Sequence, residues 1–326
     1  MCEVSVIVPF YNSANTLTRC INSLKSQLFL NFEAIFVDDG STDDSLIICE
    51  DCFDGDSRFS VIHKENAGAS SARNIGIAVA RGIFLCFVDA DDEVNENYLS
   101  DLISNSFGCD LVIHGMMRVG QGVFIDRGMH VDGLFDLGSN SERFFNDINI
   151  ERFGGPFCKL FLTEIIKDNN LLFNRKIKLA EDLDFLLRYL LFCKTVRTES
   201  RNNYTYYVTE GSASSHLYDF ETELEGARAL DESWKNLYAK FKVDRIEMLR
   251  KKSLAYYCSR ILPTIYSKGV SLFSGLNIFR KIDADILLAY SHSFSPKTFF
   301  LRLVRLCCKL HLYSVVCFLY FLRSNK

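Results

Sequence analysis

The sequence predicts an α/β protein: a Rossmann-like, mostly parallel sheet flanked by helices, followed by a helical C-terminal extension. Two observations carry this. From Val4 to about residue 120, short apolar runs alternate with amphipathic segments of helical period, the pattern of strands joined by crossover helices. Beyond Glu221 the periodicity is helical throughout.

Val4 to Val8 is an apolar run closed by Pro9, as expected of a strand buried on both faces. Asn12 or Ser13 can cap the next helix, whose Leu17, Ile21, Leu24 and Leu28 share one face. Ala34–Val37 is a second strand, running into Asp38-Asp39-Gly40-Ser41. Ser41 or Thr42 can cap a helix reaching Cys52. Phe59–Ile62 is a third strand. Ser70–Ala80 is a third helix with Ala72, Ile75 and Val79 inward, and Ile83–Val88 is a fourth strand ending on Asp89-Ala90-Asp91-Asp92. Farther on, Gly120 to Gly122 and Gly128 to Gly138 read as turns between short strands. Leu179–Cys193 reads as a helix with Glu181 and Asp182 in its first turn, and Tyr204–Val208 as a strand. In a parallel sheet, ligands bind beyond the carboxyl ends of the strands. The clusters Pro9–Asn12, Asp38–Ser41, Asn66–Asn74 and Asp89–Asp92 are therefore expected on one rim.

The chain has 326 residues, 48% hydrophobic, with a formal charge of −4. That is long enough for two modest domains and apolar enough for a packed core, while the charge argues against a nucleic-acid partner. The start, Met1-Cys2-Glu3-Val4, lacks the basic segment and cleavage site of a signal peptide, so the 12 cysteines are expected to stay reduced. Cys49 and Cys52 form a lone C-x-x-C without a second pair, which favours helix packing over a zinc site.

The chemistry lies in carboxylates at element ends. Asp89 and Asp91, one residue apart after a buried strand, can face one hard cation with oxygen ligands; the plainer reading is a solvated acidic turn. A carboxylate of Asp38-Asp39 can accept a uracil imide or a ribose hydroxyl, or simply cap its turn. Tyr11 can stack on a base. Arg73, early in its helix, can meet phosphate or a base carbonyl as a forked donor, or form a surface ion pair. Asp182 at a helix start can remove an acceptor proton, or serve only as a cap beside an Asp184–Arg188 pair.

Taken in order, Val4–Asn12, Val37–Asp43, Asn66-Ala67-Gly68 with Ala72-Arg73-Asn74, Phe87–Asp92 and Glu181–Phe185 resemble the signatures of glycosyltransferase family 2, over roughly residues 3–215. The resemblance implies the GT-A fold and an inverting transfer from a nucleotide-diphospho-sugar to a hydroxyl. It implies Asp182 as catalytic base, and Pro9, Tyr11, Asp39, Arg73, Asp89 and Ala90 as donor-binding residues. Asp89 and Asp91 would be ligands of manganese or magnesium, with His216 a further candidate. Tyr207 and Ser212 match a tyrosine-serine motif, and Lys159 an asparagine-lysine pattern. Cys158 stands where asparagine is common, and Glu96 where proline is common.

The expected division is 1–218 for nucleotide-sugar binding and catalysis and 219–326 for a helical region. The usual task of such proteins is building O-antigen or capsule polysaccharide on a lipid carrier, from the cytoplasm, at the inner face of the cell membrane. After Asp285 the chain has no acid, and Lys297, Arg302, Arg305, Lys309, Arg323 and Lys326 lie among apolar residues. Leu310–Leu322 is too short to span a bilayer, so the tail reads as a peripheral amphipathic helix. Phe299, Phe300, Leu303, Leu306 and Leu310 would enter the acyl region, with Arg302, Arg305 and Lys309 on headgroups; the alternative is packing on the protein itself. Two rival functions are a sugar nucleotidyltransferase and a non-catalytic sugar-nucleotide-binding subunit. The first would need a glycine-rich basic loop where Pro9–Asn12 stands.

Overall fold

The computed structural model describes residues 2–120, 123–126, 131–208, 216–266, 270–293 and 298–324. The chain forms two compact units, Met1–Arg175 with Glu181–Ser212, and Lys176–Ala180 with Ala213–Lys326.

The first unit opens with β1 (Val4–Phe10), α1 (Leu17–Lys25), β2 (Phe32–Asp38), α2 (Ser45–Phe53), β3 (Phe59–His63), α3 (Ala69–Val79) and β4 (Phe84–Phe87). It continues through β5 (Glu93–Val94), α4 (Tyr98–Ser104), β6 (Leu111–His114), β7 (Met117–Gly120), β8 (Val123–Asp126), β9 (Gly133–Asp136), α5 (Ser141–Asp147), β10 (Lys159–Leu162), α6 (Thr163–Asp168), α7 (Glu181–Leu190), β11 (Thr195–Glu199) and β12 (Tyr204–Tyr207). The larger sheet has the order β3-β2-β1-β4-β10-β6-β11-β9, and a smaller one the order β5-β12-β7-β8. β1, β2, β3 and β4 are parallel, as are β6 and β11. β10 is antiparallel to both of its neighbours, and β9 to β11. Through β4 every crossover is a helix, which makes these strands parallel; between β6 and β10 the chain passes through short strands and α5, and β10 enters reversed.

Every residue of β1 and β2 is buried, which explains their unbroken apolar runs. α3 packs closely on β1 at Gly76, where a Cβ would lie 2.4 Å from Ile7 Cγ2. The inward face of α3 is therefore Ala72, Arg73, Gly76 and Ile77. Val79, expected inward, is exposed, and Ile75 is half-buried.

The expected caps of α1 and α2 have other work. Asn12 has φ of 48°, and its Oδ1 accepts from Thr42 N at 2.8 Å while Ser41 Oγ accepts from Asn12 N at 3.0 Å. These side chains lace the loops after β1 and β2 together. α1 starts only at Leu17 and α2 at Ser45, neither with a side-chain cap bond. α1 ends at Lys25, leaving Leu28 exposed. α7 starts at Glu181 because Ala180, at φ of 60°, breaks helical geometry just before it, and it ends at Leu190, short of Cys193.

The second unit is helical after Phe220: α8 (Phe220–Phe241), α9 (Asp244–Thr264), α10 (Leu272–Phe279), α11 (Ala284–Ser293), α12 (Phe299–Lys309) and α13 (Tyr313–Ser324). Glu223 on α8 is buried against Arg260 on α9, with Nε to Oε2 at 2.9 Å. Among the described residues no helix is long and apolar enough to cross a membrane. α12 buries Val304, Cys307 and Cys308 and exposes Phe299, Leu306 and Leu310. Two tail expectations are corrected. Arg305 donates to the carbonyls of Ser291 and His292 at the end of α11, at 2.9 and 3.1 Å, a helix terminus that favours a cation. Phe300 packs edge-on against Tyr320 and under Arg323. Lys297 and Lys326 lie outside the described residues.

Candidate active site

The rim begins where β2 ends. Asp38 is fully buried; its carboxylate accepts from Ser41 N at 2.9 Å and contacts His63 Nδ1 at 2.7 Å. Asp38 is therefore committed to its own turn. Asp39, also buried, accepts from Ala67 N at 3.0 Å, Gly68 N at 2.7 Å and the Lys64 ammonium. It fixes the loop that opens α3. Gly40, at φ of 75°, makes this turn possible: a Cβ there would meet Asn66 N at 2.7 Å. Pro9 is buried in β1 opposite Val37, while Tyr11, just past the strand, is exposed.

Arg73 is the hub. It sits on α3, buried, with its guanidinium 5.3 Å from the Phe173 ring centroid. Nη1 donates to Asp182 Oδ1 at 2.8 Å and Nη2 to Asp89 Oδ1 at 3.1 Å; Glu181 Oε1 lies 3.5 Å from Nη1. The surface ion-pair reading is thereby excluded. Asp89 lies two residues past β4 and Asp182 stands in the first turn of α7, their side chains 23% and 24% exposed, so one cation joins two partly buried carboxylates. Burial pushes the Asp182 carboxyl up to about 8; Arg73 opposes this, and the charges of Glu181 and Asp89 add to it. Burial disfavours the charged form of Arg73, but Asp182, Asp89 and Glu181 outweigh that and hold it charged. Asp184 pairs with Arg188 at 2.8 Å, as its spacing suggested.

The acidic run has a second support that sequence reasoning missed. Tyr204 Oη donates to Asp92 Oδ2 at 2.6 Å and accepts from Asp89 N at 3.1 Å, while Tyr207 N donates to Asp92 Oδ1 at 2.9 Å. Asp92 is fully buried. Burial and the charge of Asp89 push its carboxyl up to about 8, against the Tyr204 hydrogen bond. The Arg19 guanidinium donates to the Asp91 carbonyl and stacks 3.8 Å from the Tyr207 ring centroid, and Tyr207 Oη donates to Glu93 at 2.8 Å. Ala90 is buried. The available signal was a third acid in a run that needs at most two ligands.

The acceptor-side matches divide. Lys159 is buried and donates to the carbonyls of Gly155 and Phe157 at 2.6 and 3.2 Å; burial lowers its ammonium to about 8. Cys158 adopts φ of 58°, a conformation asparagine tolerates better than most residues. That is a backbone reason for asparagine to be common there. Ser212 lies outside the described residues. His216 belongs to the second unit, where its ring meets Tyr218 edge-on at 4.7 Å and its carbonyl accepts from Arg260.

The residues fit a divalent cation of the magnesium type. Among the described residues no three histidine, cysteine, aspartate or glutamate side chains converge to hold an ion alone. Such a cation commonly takes one or two carboxylates and completes its shell from phosphates and water. Asp89 and Asp91 are two carboxylates whose charges already burden Asp92, and a cation would relieve that.

Comparison with known proteins bears on the same region. The family model for glycosyl transferase family 2 matches residues 5–169. The chain is 45% identical over 100 residues to glycosyltransferase GlyG of Streptococcus pneumoniae serotype 4, covering 30% of this chain and 33% of that one. It is 30% identical over 239 residues to the uncharacterized glycosyltransferase EpsJ of Bacillus subtilis, covering 72% and 67%. The crystal structure of S. aureus TarS 1-349 in complex with UDP-GlcNAc superposes with a TM-score of 0.68 at 21% identity, covering 99% of this chain and 90% of that one. The last likeness concerns the fold alone.

Proposed function

Because this chain belongs to glycosyltransferase family 2 and has the GT-A fold, we propose that it moves a sugar with inversion from a UDP-sugar to a hydroxyl of a lipid-linked saccharide during surface polysaccharide synthesis. The observation that carries the reading is the bridge from Asp89 through Arg73 to Asp182. A donor-side carboxylate and a candidate base are thus held by one guanidinium.

Asp182 takes the proton from the acceptor hydroxyl as that oxygen attacks the anomeric carbon. Arg73 orients the Asp182 carboxylate and opposes the upward pull of burial on it. Asp39 and Tyr11 hold the base, and Pro9 and Ala90 contribute backbone to the donor site. A divalent cation held by Asp89 and Asp91, manganese or magnesium, would offset the charge on the departing diphosphate; His216 is a further candidate ligand. Against a nucleotidyltransferase stands Pro9-Phe10-Tyr11-Asn12 in place of a basic glycine loop. Against an inactive subunit stands the full carboxylate set.

Residues 1–218 would perform this chemistry, and 219–326 would attach the enzyme peripherally to the inner membrane face. Support for the second part is the exposed stripe Phe299, Leu306 and Leu310 beside Arg302 and Lys309. The deciding experiment is a donor screen that measures released nucleotide diphosphate from UDP- and GDP-sugars, beginning with UDP-GlcNAc, the donor bound by TarS. No release from any donor would overturn the proposal.

A further inference from the structure

Resting on that reading, we propose that the first unit carries a separate site for a neutral, polyhydroxylated acceptor chain, in a cleft between α1 and the β5–β12 edge. The cleft has a volume of about 620 Å³ and is walled by Arg19, Asn22, Ser23, Asn95, Asn202 and Thr205 among others. That size lies within the range of about 300–1,000 Å³ usual for ligand pockets.

Its chemistry is narrow. Amide and hydroxyl groups dominate the wall, and each both donates and accepts, which suits vicinal hydroxyls. Two buried atoms there lack a hydrogen-bond partner, Arg19 Nε and Asn202 Oδ1, although buried polar atoms are normally paired. Asn202 donates from its amide nitrogen to Asp126 at 2.9 Å, which leaves its buried carbonyl oxygen without a partner. The one cation, Arg19, faces Glu93 at 3.7 Å, and Glu96 adds a further negative charge. The balance disfavours phosphate and nucleotide. Polar atoms make up the larger part of the wall, which disfavours the lipid portion of an acceptor.

Position completes the case. Arg19 also donates to the Asp91 carbonyl and stacks on Tyr207. The cleft is therefore one side chain away from the acidic loop, and it approaches that loop from Asp91 rather than from the Asp39 side. A glycan whose terminal hydroxyl reaches Asp182 can rest its preceding units here.

The test blocks the cleft from outside. Asn22 is exposed on α1, so Asn22→Trp fills space without touching the core. Wild type and variant are compared in two assays: UDP release to water with no acceptor, and transfer of radiolabelled sugar from the best donor to glycans in membranes of the source cells. We expect membrane transfer to fall about tenfold or more while UDP release stays within about twofold, the signature of lost acceptor binding. Asn202→Ala, which adds no bulk, should raise the membrane concentration needed for half-maximal transfer, with unchanged circular dichroism. Unchanged transfer in both variants overturns the site. A parallel loss of UDP release also overturns it, because the cleft would then act only through the Asp91 loop. If wild type itself neither releases UDP nor transfers label, the glycosyltransferase reading fails as well.

Discussion

Arg73 Nη1 lies 2.8 Å from Asp182 Oδ1, so the candidate base is already ion-paired before any substrate arrives. The same guanidinium holds Asp89 through its other nitrogen. The two carboxylates are therefore coupled through one buried cation, and the effects of altering either should not be independent.

Asp182→Asn should lower turnover by about 10²–10⁴, the size of a general-base contribution, and leave donor affinity within a few-fold. A base works ionised, and burial raises Asp182 to about 8. Turnover of the native protein should therefore fall as pH drops through that region. Arg73 is the group opposing the rise, so Arg73→Gln should move the acid limb to higher pH. The check is the pH profile of UDP release. A limb that stays in place in Arg73→Gln contradicts the assignment.

Activity should require a divalent cation, and Asp91→Asn should abolish it. Tyr204→Phe removes the hydroxyl that ties Asp89 N to Asp92. That variant should raise the manganese concentration for half-maximal activity while the protein stays folded. Full turnover in excess chelator would refute the metal requirement, and an unchanged metal dependence would make Tyr204 merely structural.

Asp39→Ala should weaken donor binding without altering the metal requirement. Asp39 also fastens Ala67 N and Gly68 N, so the variant should lose stability as well, by about 1–3 kcal/mol for a buried acceptor removed from its donors. Calorimetric donor titration and thermal unfolding separate the two effects. Unchanged donor affinity would count against a base contact.

The rim was legible because strand ends in a parallel sheet must release polar residues on one side, and Asp39, Arg73, Asp89 and Asp182 stand at element ends or first turns. What each carboxylate touches was not legible. Arg73 meets Asp182 across 109 residues, and Tyr204 meets Asp92 across 112; no local periodicity encodes such pairs. The caps failed for a related reason. Asn12 reads as a helix cap by type, but its amide finds Thr42 30 residues away, and a side chain–backbone bond of this kind competes with capping. Val79 misled because Gly76, not a bulky residue, sets how α3 approaches β1.

Stability should fall in mild acid through His114. It is fully buried on β6, and neither ring nitrogen has a hydrogen-bond partner. Burial lowers it from 6.5 to about 4; Arg201 adds to this, and Asp101 and Asp132 oppose it. Between these values the unfolded chain binds the proton and the folded chain does not. The contribution is complete above about 6.5 and is lost as pH falls toward 4, about 3 kcal/mol in all. His114→Phe should be more stable than the native protein at pH 5 and show a flatter melting temperature against pH. Parallel curves for the two proteins would exclude this cause.

The tail prediction turns on which force dominates. With Arg305 occupied by the end of α11, the described basic contribution from α12 is Arg302 and Lys309, about 1 kcal/mol each near an anionic surface. Phe299, Leu306 and Leu310 are 81%, 51% and 57% exposed, and each gains about 1.5–3 kcal/mol on full insertion. The apolar term is the larger, so salt should release the protein from membranes only in part. Because these three side chains lie outside the core, changing all three to serine should leave the fold intact and spare UDP release. The native protein should float with phosphatidylglycerol vesicles, and less with phosphatidylcholine, whereas the triple variant should float with neither. Equal flotation of native and variant proteins would mean that this stripe is not the membrane contact, and complete release by salt would mean that charge, not insertion, holds it there.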